Sequence, residues 1–174
     1  MSTITFRAIG GGAEICANSY VIGADGHDIL LDCGLHPKKE GRIALPEFDL
    51  LERAPEAVLV SHGHIDHCGA VPYVMRDCPG VACYATHPTV NIMDRMLHNS
   101  VSVMGTIAHE RGIKDYPLYT HGDVDNALRR CHGLHYEREF APTWDSPFRA
   151  SFHHSGHVLG SASVLLRTEG HTLL

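Results

Sequence analysis

The sequence contains no apolar run as long as the roughly 18 residues that a membrane span requires. Its first residues, MSTITFRAIGGG, lack the basic stretch and long apolar segment of a signal peptide. The 6 cysteines form no CxxC pair and no regular framework, so free thiols in a reducing cytoplasm are the simplest interpretation. We therefore expect a cytoplasmic protein with no membrane partner.

Basic residues are the minority charge, with 14 Lys and Arg against 20 Asp and Glu, for a net charge of -6. This balance argues against a broad basic surface for nucleic acid. It leaves a nucleic-acid substrate open, because bound metal ions can supply the local positive charge that a phosphodiester needs. The chain of 174 residues has no internal repeat and no low-complexity linker, which fits one domain or part of a larger one.

Alternating or continuous apolar residues predict strands along most of the chain. TITFRAI runs into a glycine-rich turn, GGGAEICANS, and two further strands, SYVIG and HDILLDCG, flank a hairpin turn at Asp25-Gly26. Continuous apolar runs in AVLVS and GVACYAT indicate strands buried on both faces. The segments FRASFHH, ASVLLRT and HTLL predict three more, the last two joined by a turn at Glu169-Gly170.

Helical spacing predicts three helices between these strands. A short one in CGAVPYVMRD must hold Pro72 in its first turn. A long one begins near HPTVN and stops near Gly112, and a third, in GDVDNALRRCHG, is expected to be capped by Asp123 and ended by Gly133. The order of elements predicts an α/β fold in which helices flank mixed sheets.

Four side chains of the kind that bind metals follow the strand AVLVS within six positions, in the segment SHGHIDH. Because His62 and His64 are two residues apart, an extended backbone points both imidazoles the same way. Asp66 and His67 begin the next helix, where adjacent side chains diverge by about 100° and can serve a neighbouring ion. One histidine here would be an ordinary loop residue, whereas four such side chains together indicate a metal site.

These residues carry a family resemblance. HxHxDH is the signature of the metallo-β-lactamase superfamily, which this sequence resembles at residues 62–67. The segments ILLDCG, with Asp32, and SGHVLGSAS, with His157, resemble the first and third motifs of the same superfamily. The longer segments DCGLHPKKEGRIALPEFDLL and SHGHIDHCGAVPYV resemble its β-CASP nuclease branch, which contains RNA-processing endonucleases.

The resemblance implies an αββα sandwich and a site with two metal ions. It implies one zinc ion on His62, His64 and His157, and a second ion on Asp66 and His67. Asp32 and Asp66 would be catalytic, since both would help to orient the attacking water.

The residues alone leave two of these assignments open. Asp32 can also be a strand-end carboxylate that caps a turn, and His157 can be a glycine-flanked loop histidine. His153 and His154 are rivals to His157 as ligands, although both lie within a strand pattern. Either could instead form a hydrogen bond to a metal-binding histidine.

The family's next motif supplies a metal-bridging aspartate after a strand that reads roughly Leu-Leu-Tyr-Thr-Gly-Asp, and the sequence stops at HTLL before it. We therefore expect residues 1–174 to be the N-terminal part of a longer enzyme, inactive or weak by itself. We expect one firmly bound zinc ion and an incomplete second site. Unpaired strand edges would favour a homo-oligomer or pairing with the missing C-terminal half.

The function implied for the complete protein is zinc-dependent phosphodiester hydrolysis of RNA or another single-stranded nucleic acid. A first alternative is another hydrolase of the superfamily, acting on thioesters, lactones or β-lactams with the same ligands. The separation of 90 positions between His67 and His157 (157 − 67) favours the nuclease. A second alternative is a non-catalytic metal-binding or partner module. The intact HxHxDH segment argues against it for the complete protein, and the missing aspartate argues for it for residues 1–174.

Overall fold

Two β-sheets packed face to face form the centre of the protein. The structure, a computed structural model, describes residues 3–14 and 16–174. The first sheet has the strand order β1 (Ile4–Gly10), β2 (Ser19–Ala24), β3 (His27–Leu31), β4 (Ala57–Leu59), β5 (Ala82–Thr86) and β6 (Cys131–Leu134). The second contains β7 (Arg149–His154), β8 (Ala162–Thr168) and β9 (His171–Leu173). The predicted strands and the hairpin at Asp25-Gly26 are confirmed, whereas the predicted glycine-rich turn includes residue 15, which lies outside the described residues.

The helices are α1 (Ile65–Cys68), α2 (Val71–Asp77), α3 (His87–Arg111) and α4 (His121–Leu128), with 3-10 turns at Gly41–Ala44 and Phe48–Leu50. Pro72 lies in the first turn of α2, as predicted. The long helix α3 ends where Gly112 adopts the left-handed conformation, which also confirms the prediction. Within the described residues no helix, α3 included, is long and apolar enough to cross a bilayer.

The prediction for α4 was wrong at both ends. Thr120 is the N-terminal cap, and Asp123 completes a capping box from the third helical position by accepting from the Thr120 backbone. The helix ends at Leu128, and Gly133 lies inside strand β6, because Cys131–Leu134 pairs in parallel with β5. This pairing with a distant strand outweighed the local helical pattern.

The strand directions bring several chain segments to one edge of the first sheet. Strands β3 to β6 are parallel, so their carboxyl ends share this edge. Strand β2 is antiparallel to β3, so its amino end lies at the same edge. The residues that precede β2 and follow β3 and β4 therefore meet there, and this is where the histidine cluster lies.

Two hydrophobic cores lie on opposite faces of the first sheet. One joins the sheet to the helices and contains Val58, Met75 and Leu97, and the other joins the two sheets and contains Leu59 and Phe152. Adjacent residues of β4 therefore face different cores, which explains its continuous apolar run. The layers are helices, mixed sheet and antiparallel sheet, an arrangement that confirms the predicted α/β class.

Candidate metal centre

Three imidazoles from two distant segments converge at this edge. His62 and His64 belong to the loop between β4 and α1, and His157 belongs to the loop between β7 and β8. One ring nitrogen from each histidine lies within 4.8 Å of the other two, and His62 Nε2 is 3.2 Å from His64 Nδ1. The nitrogen atoms are therefore close enough to share one ion.

His62 is buried, and its surroundings favour the neutral ring that a metal requires. Burial, helped by the neighbouring imidazole of His67, lowers the pKa of His62 to about 4. Ser61 Oγ lies 2.9 Å from His62 Nδ1 and 2.8 Å from Asp32 Oδ2. Because a carboxylate only accepts, Ser61 donates its proton to Asp32 and accepts from His62 Nδ1, which leaves the lone pair on His62 Nε2.

Asp32 follows β3 with a left-handed backbone (φ 57°), and its side chain is buried under the histidine cluster. Oδ1 accepts from the Ser61 backbone N–H at 2.7 Å, and Oδ2 lies 2.7 Å from His67 Nδ1. Ser61 and His67, the first and last residues of the segment SHGHIDH, therefore engage both carboxylate oxygens. These contacts favour a role for Asp32 in orienting His67.

His67 is held from both of its ring nitrogens. Burial lowers its pKa, but the hydrogen bond and charge of Asp32, with the charge of Asp66, outweigh burial and leave the pKa raised. His67 Nε2 lies 3.1 Å from Asn18 Nδ2 and 3.7 Å from Asp66 Oδ2. Within residues 3–14 and 16–174, Asp66 and His67 do not join a third residue in a cluster as tight as that of the three histidines.

Asn18 is a site residue that sequence reasoning missed. Its Nδ2 donates to the Asp66 carbonyl at 3.2 Å, and its backbone N–H donates to the same oxygen at 2.8 Å. Since a carbonyl only accepts, the bond to the Asp66 carbonyl identifies the amide nitrogen, Nδ2, as the end of the Asn18 side chain that faces His67. The predicted hairpin of β2 and β3 could have indicated this position, because pairing of Tyr20 with Leu31 brings Asn18 beside the end of β3.

The segment after Asp32 lies directly against the HxHxDH backbone. Cys33 N–H donates to the His67 carbonyl at 2.8 Å, and Leu35 N–H donates to the Ile65 carbonyl at 2.8 Å. A Cβ atom on Gly34 would lie only 1.8 Å from the Asp66 carbonyl oxygen. Glycine at this position therefore allows the two backbones to approach and fixes α1 beside the end of β3.

The loop that carries His157 is fixed by Ser161. Ser161 Oγ accepts from the backbone N–H groups of His157 at 3.1 Å and Val158 at 3.0 Å. The next residue, Ala162, donates its N–H to the Ser61 carbonyl at 2.9 Å. These bonds tie the His157 loop to the strand end that carries His62.

The two rival histidines lie outside this cluster. His153 Nε2 lies 3.0 Å from Ser151 Oγ, and the ring of His154 stacks on Tyr136 at 3.5 Å. The structure thus brings His157 to His62 and His64 but directs His153 and His154 elsewhere.

The comparisons with known proteins agree with this geometry. The family model of the metallo-beta-lactamase superfamily matches residues 17–174. The chain belongs to this superfamily. The metallo-β-lactamase fold protein YhfI from Bacillus subtilis superposes with a TM-score of 0.57, at 16% identity, over 97% of this chain and 59% of YhfI. At that identity the likeness shows the fold alone.

Two curated relatives are similar to the chain over most of its length. The chain is 29% identical to cleavage and polyadenylation specificity factor 73 of Drosophila melanogaster, over 98% of this chain and 24% of the relative. It is 33% identical to an RNase J-like protein of Methanocaldococcus jannaschii, over 84% of this chain and 29% of the relative. The chain thus spans about a quarter of the length of these relatives.

Proposed function

We propose that the protein carrying this chain is a metal-dependent hydrolase of RNA phosphodiester bonds, of the β-CASP nuclease type. The observation that supports it most is the convergence of ring nitrogens from His62, His64 and His157 within 4.8 Å. The names of the relatives provide the substrate class. A cytoplasmic location is part of the proposal, in keeping with 6 free cysteines.

The donor set suits zinc. Three imidazole nitrogens are preferred zinc ligands, and burial keeps His62 neutral at physiological pH. Zinc ions bound here would activate water and offset charge on the attacked phosphate. Asp66 and His67 are proposed to hold a second ion.

The protein's own residues divide the remaining work. Asp66, at the start of α1 and partly exposed, is proposed to position the attacking water. Asp32 is proposed to act through His67, since both of its carboxylate oxygens already accept hydrogen bonds from Ser61 and His67. Asp32 thereby holds the Nδ1 proton of His67 and leaves the lone pair on Nε2, which Asn18 Nδ2 faces at 3.1 Å and which the second ion would take in its place.

Residues 1–174 are proposed to form the N-terminal portion of the catalytic domain. Two protein ligands are fewer than a stable zinc site normally uses, so the second ion is expected to need ligands from beyond this segment. The segment alone is therefore proposed to bind one zinc ion firmly and to cleave RNA weakly. RNA is the proposed substrate, and association with another copy or with the remainder of the protein is the proposed use of the exposed edge at β9.

The test is RNA cleavage by the full-length protein with and without bound metal. His64→Ala and chelation should each abolish cleavage of a labelled single-stranded RNA, whereas His153→Ala should cleave it at the parent rate. Cleavage that survives either treatment would contradict the proposal. A thioester substrate in parallel separates the alternatives, because thioester turnover without RNA cleavage would identify a different hydrolase of the superfamily.

A further inference from the structure

An aromatic pair stands beside the candidate metal centre without any part in it. The ring of His154 stacks on that of Tyr136, with centroids 3.5 Å apart and planes inclined by 26°. His154 is the last residue of β7, three positions before His157, and it is exposed. We propose that this pair, named here the stacking platform, binds a nucleobase of the RNA substrate next to the phosphate that is cleaved; this rests on the proposed function.

The platform is rigidly built. The Tyr136 hydroxyl donates to the Ser161 carbonyl at 3.1 Å, and the backbone N–H of Glu137 donates to the Phe152 carbonyl at 2.8 Å. Tyr136 also packs against the core between the two sheets. One face of the His154 ring is therefore supported by a fixed tyrosine, which lowers the entropy lost when a base stacks on the other face.

The strand pattern explains why the histidine is exposed. Ala150 and Phe152 point from β7 into the core between the sheets, and His154 continues the same alternation one step beyond it. The ring is therefore exposed just past the core, three residues before His157. The loop that follows it leads directly to His157, and Ser161 contacts both the platform and that loop.

The chemistry fits single-stranded RNA. Unstacked bases bind to the faces of tyrosine and histidine rings, and stacking tolerates any base because each has a π face. The acidic chain, with a net charge of -6, offers little general attraction for a phosphate backbone. Stacking beside the centre supplies affinity that does not depend on a basic surface.

The test compares RNA binding and cleavage by the full-length protein and its His154→Ala variant, with His153→Ala as the control from the same strand. His154→Ala should weaken binding of a single-stranded RNA about tenfold in the presence of a chelator, the order expected for one lost stack. In the metal-loaded enzyme it should raise KM by a similar factor and leave kcat and metal content unchanged. His154→Phe should restore binding.

An abasic substrate distinguishes stacking from a general loss of structure. Removing the base beside the scissile phosphate should weaken binding to the parent protein but not to His154→Ala. Equal binding by the parent and His154→Ala, while RNA is still cleaved, would overturn the platform and leave the nuclease proposal standing. If the parent neither binds nor cleaves RNA, the proposed function itself fails.

Discussion

The carboxylate of Asp32 lies 2.7 Å from Nδ1 of His67 and joins two segments that are 35 residues apart in the chain. The side chains are 7% and 22% exposed, so the contact is largely shielded from water. Together with the two hydrogen bonds from Ser61, it makes Asp32 the point at which the end of β3 holds the HxHxDH loop.

Asp32→Ala should therefore weaken metal binding and the fold together. Loss of the carboxylate leaves the N–H of Ser61 and Nδ1 of His67 without their acceptor, at a cost of about 1–3 kcal/mol in the free energy of unfolding. Affinity for the second ion, which His67 would hold, should fall roughly 10- to 100-fold in the full-length protein, as it does when a group that hydrogen-bonds to a metal ligand is removed. Urea denaturation and metal titration measure the two effects, and the exposed Asp49→Asn provides the control. Unchanged metal affinity would contradict the assigned role.

His157→Ala should remove the firmly bound ion. The remaining nitrogens of His62 and His64 are fewer than the three protein ligands of a typical zinc site, so zinc should no longer survive dialysis. His153→Ala is the matched control, because this ring contacts Ser151 instead of the cluster. Elemental analysis of the dialysed proteins measures the zinc content of each variant. Equal zinc contents in His157→Ala and His153→Ala would show that the three histidines do not share one ion.

Ser161→Ala should lower metal affinity about tenfold with little loss of secondary structure. The hydroxyl is buried and accepts from two backbone N–H groups of the loop that presents His157. Ser163→Ala, an exposed change two residues later in β8, should bind metal like the parent. Calorimetric titration with zinc gives both affinities, and identical values would mean that the loop is held by other contacts.

Two glycine substitutions should shift stability in opposite directions. Gly34→Ala would place a methyl group 1.8 Å from the Asp66 carbonyl oxygen, so the backbones must separate. We expect a loss of about 3 kcal/mol, at the upper end for overpacking. Gly105→Ala meets no atom within 4 Å inside α3 and should stabilise the protein by about 0.5–1 kcal/mol. Thermal denaturation tests the pair, and a shift of the same sign would refute the close approach at Gly34.

Thr120→Ala should cost about 1 kcal/mol of unfolding free energy by removing the cap of α4. Its hydroxyl accepts from the N–H of Asp123 at 3.2 Å, and the Asp123 carboxylate returns the contact. Thr106→Ala, on an exposed turn of α3, should be neutral or slightly stabilising, since alanine is the better helix former. Comparable losses in both variants would argue against the capping box.

Much of the fold was predictable because the signals were local. The Asp-Gly turn, the proline in the first turn of α2 and the glycine after α3 each act within a few residues. The end of α4 was not predictable in this way. Gly133 pairs with the distant strand β5, and a contact between distant segments leaves no local sequence pattern.

The sequence by itself determined the α/β class, the superfamily and the identity of the histidine cluster, because spacing along a strand and a helix fixes which side chains are neighbours. Only the tertiary structure decided between His153, His154 and His157, brought Asn18 to His67, and turned Asp32 towards His67. Those choices depend on hydrogen bonds and close packing between segments far apart in the chain. Such contacts exist only once the sheets have formed.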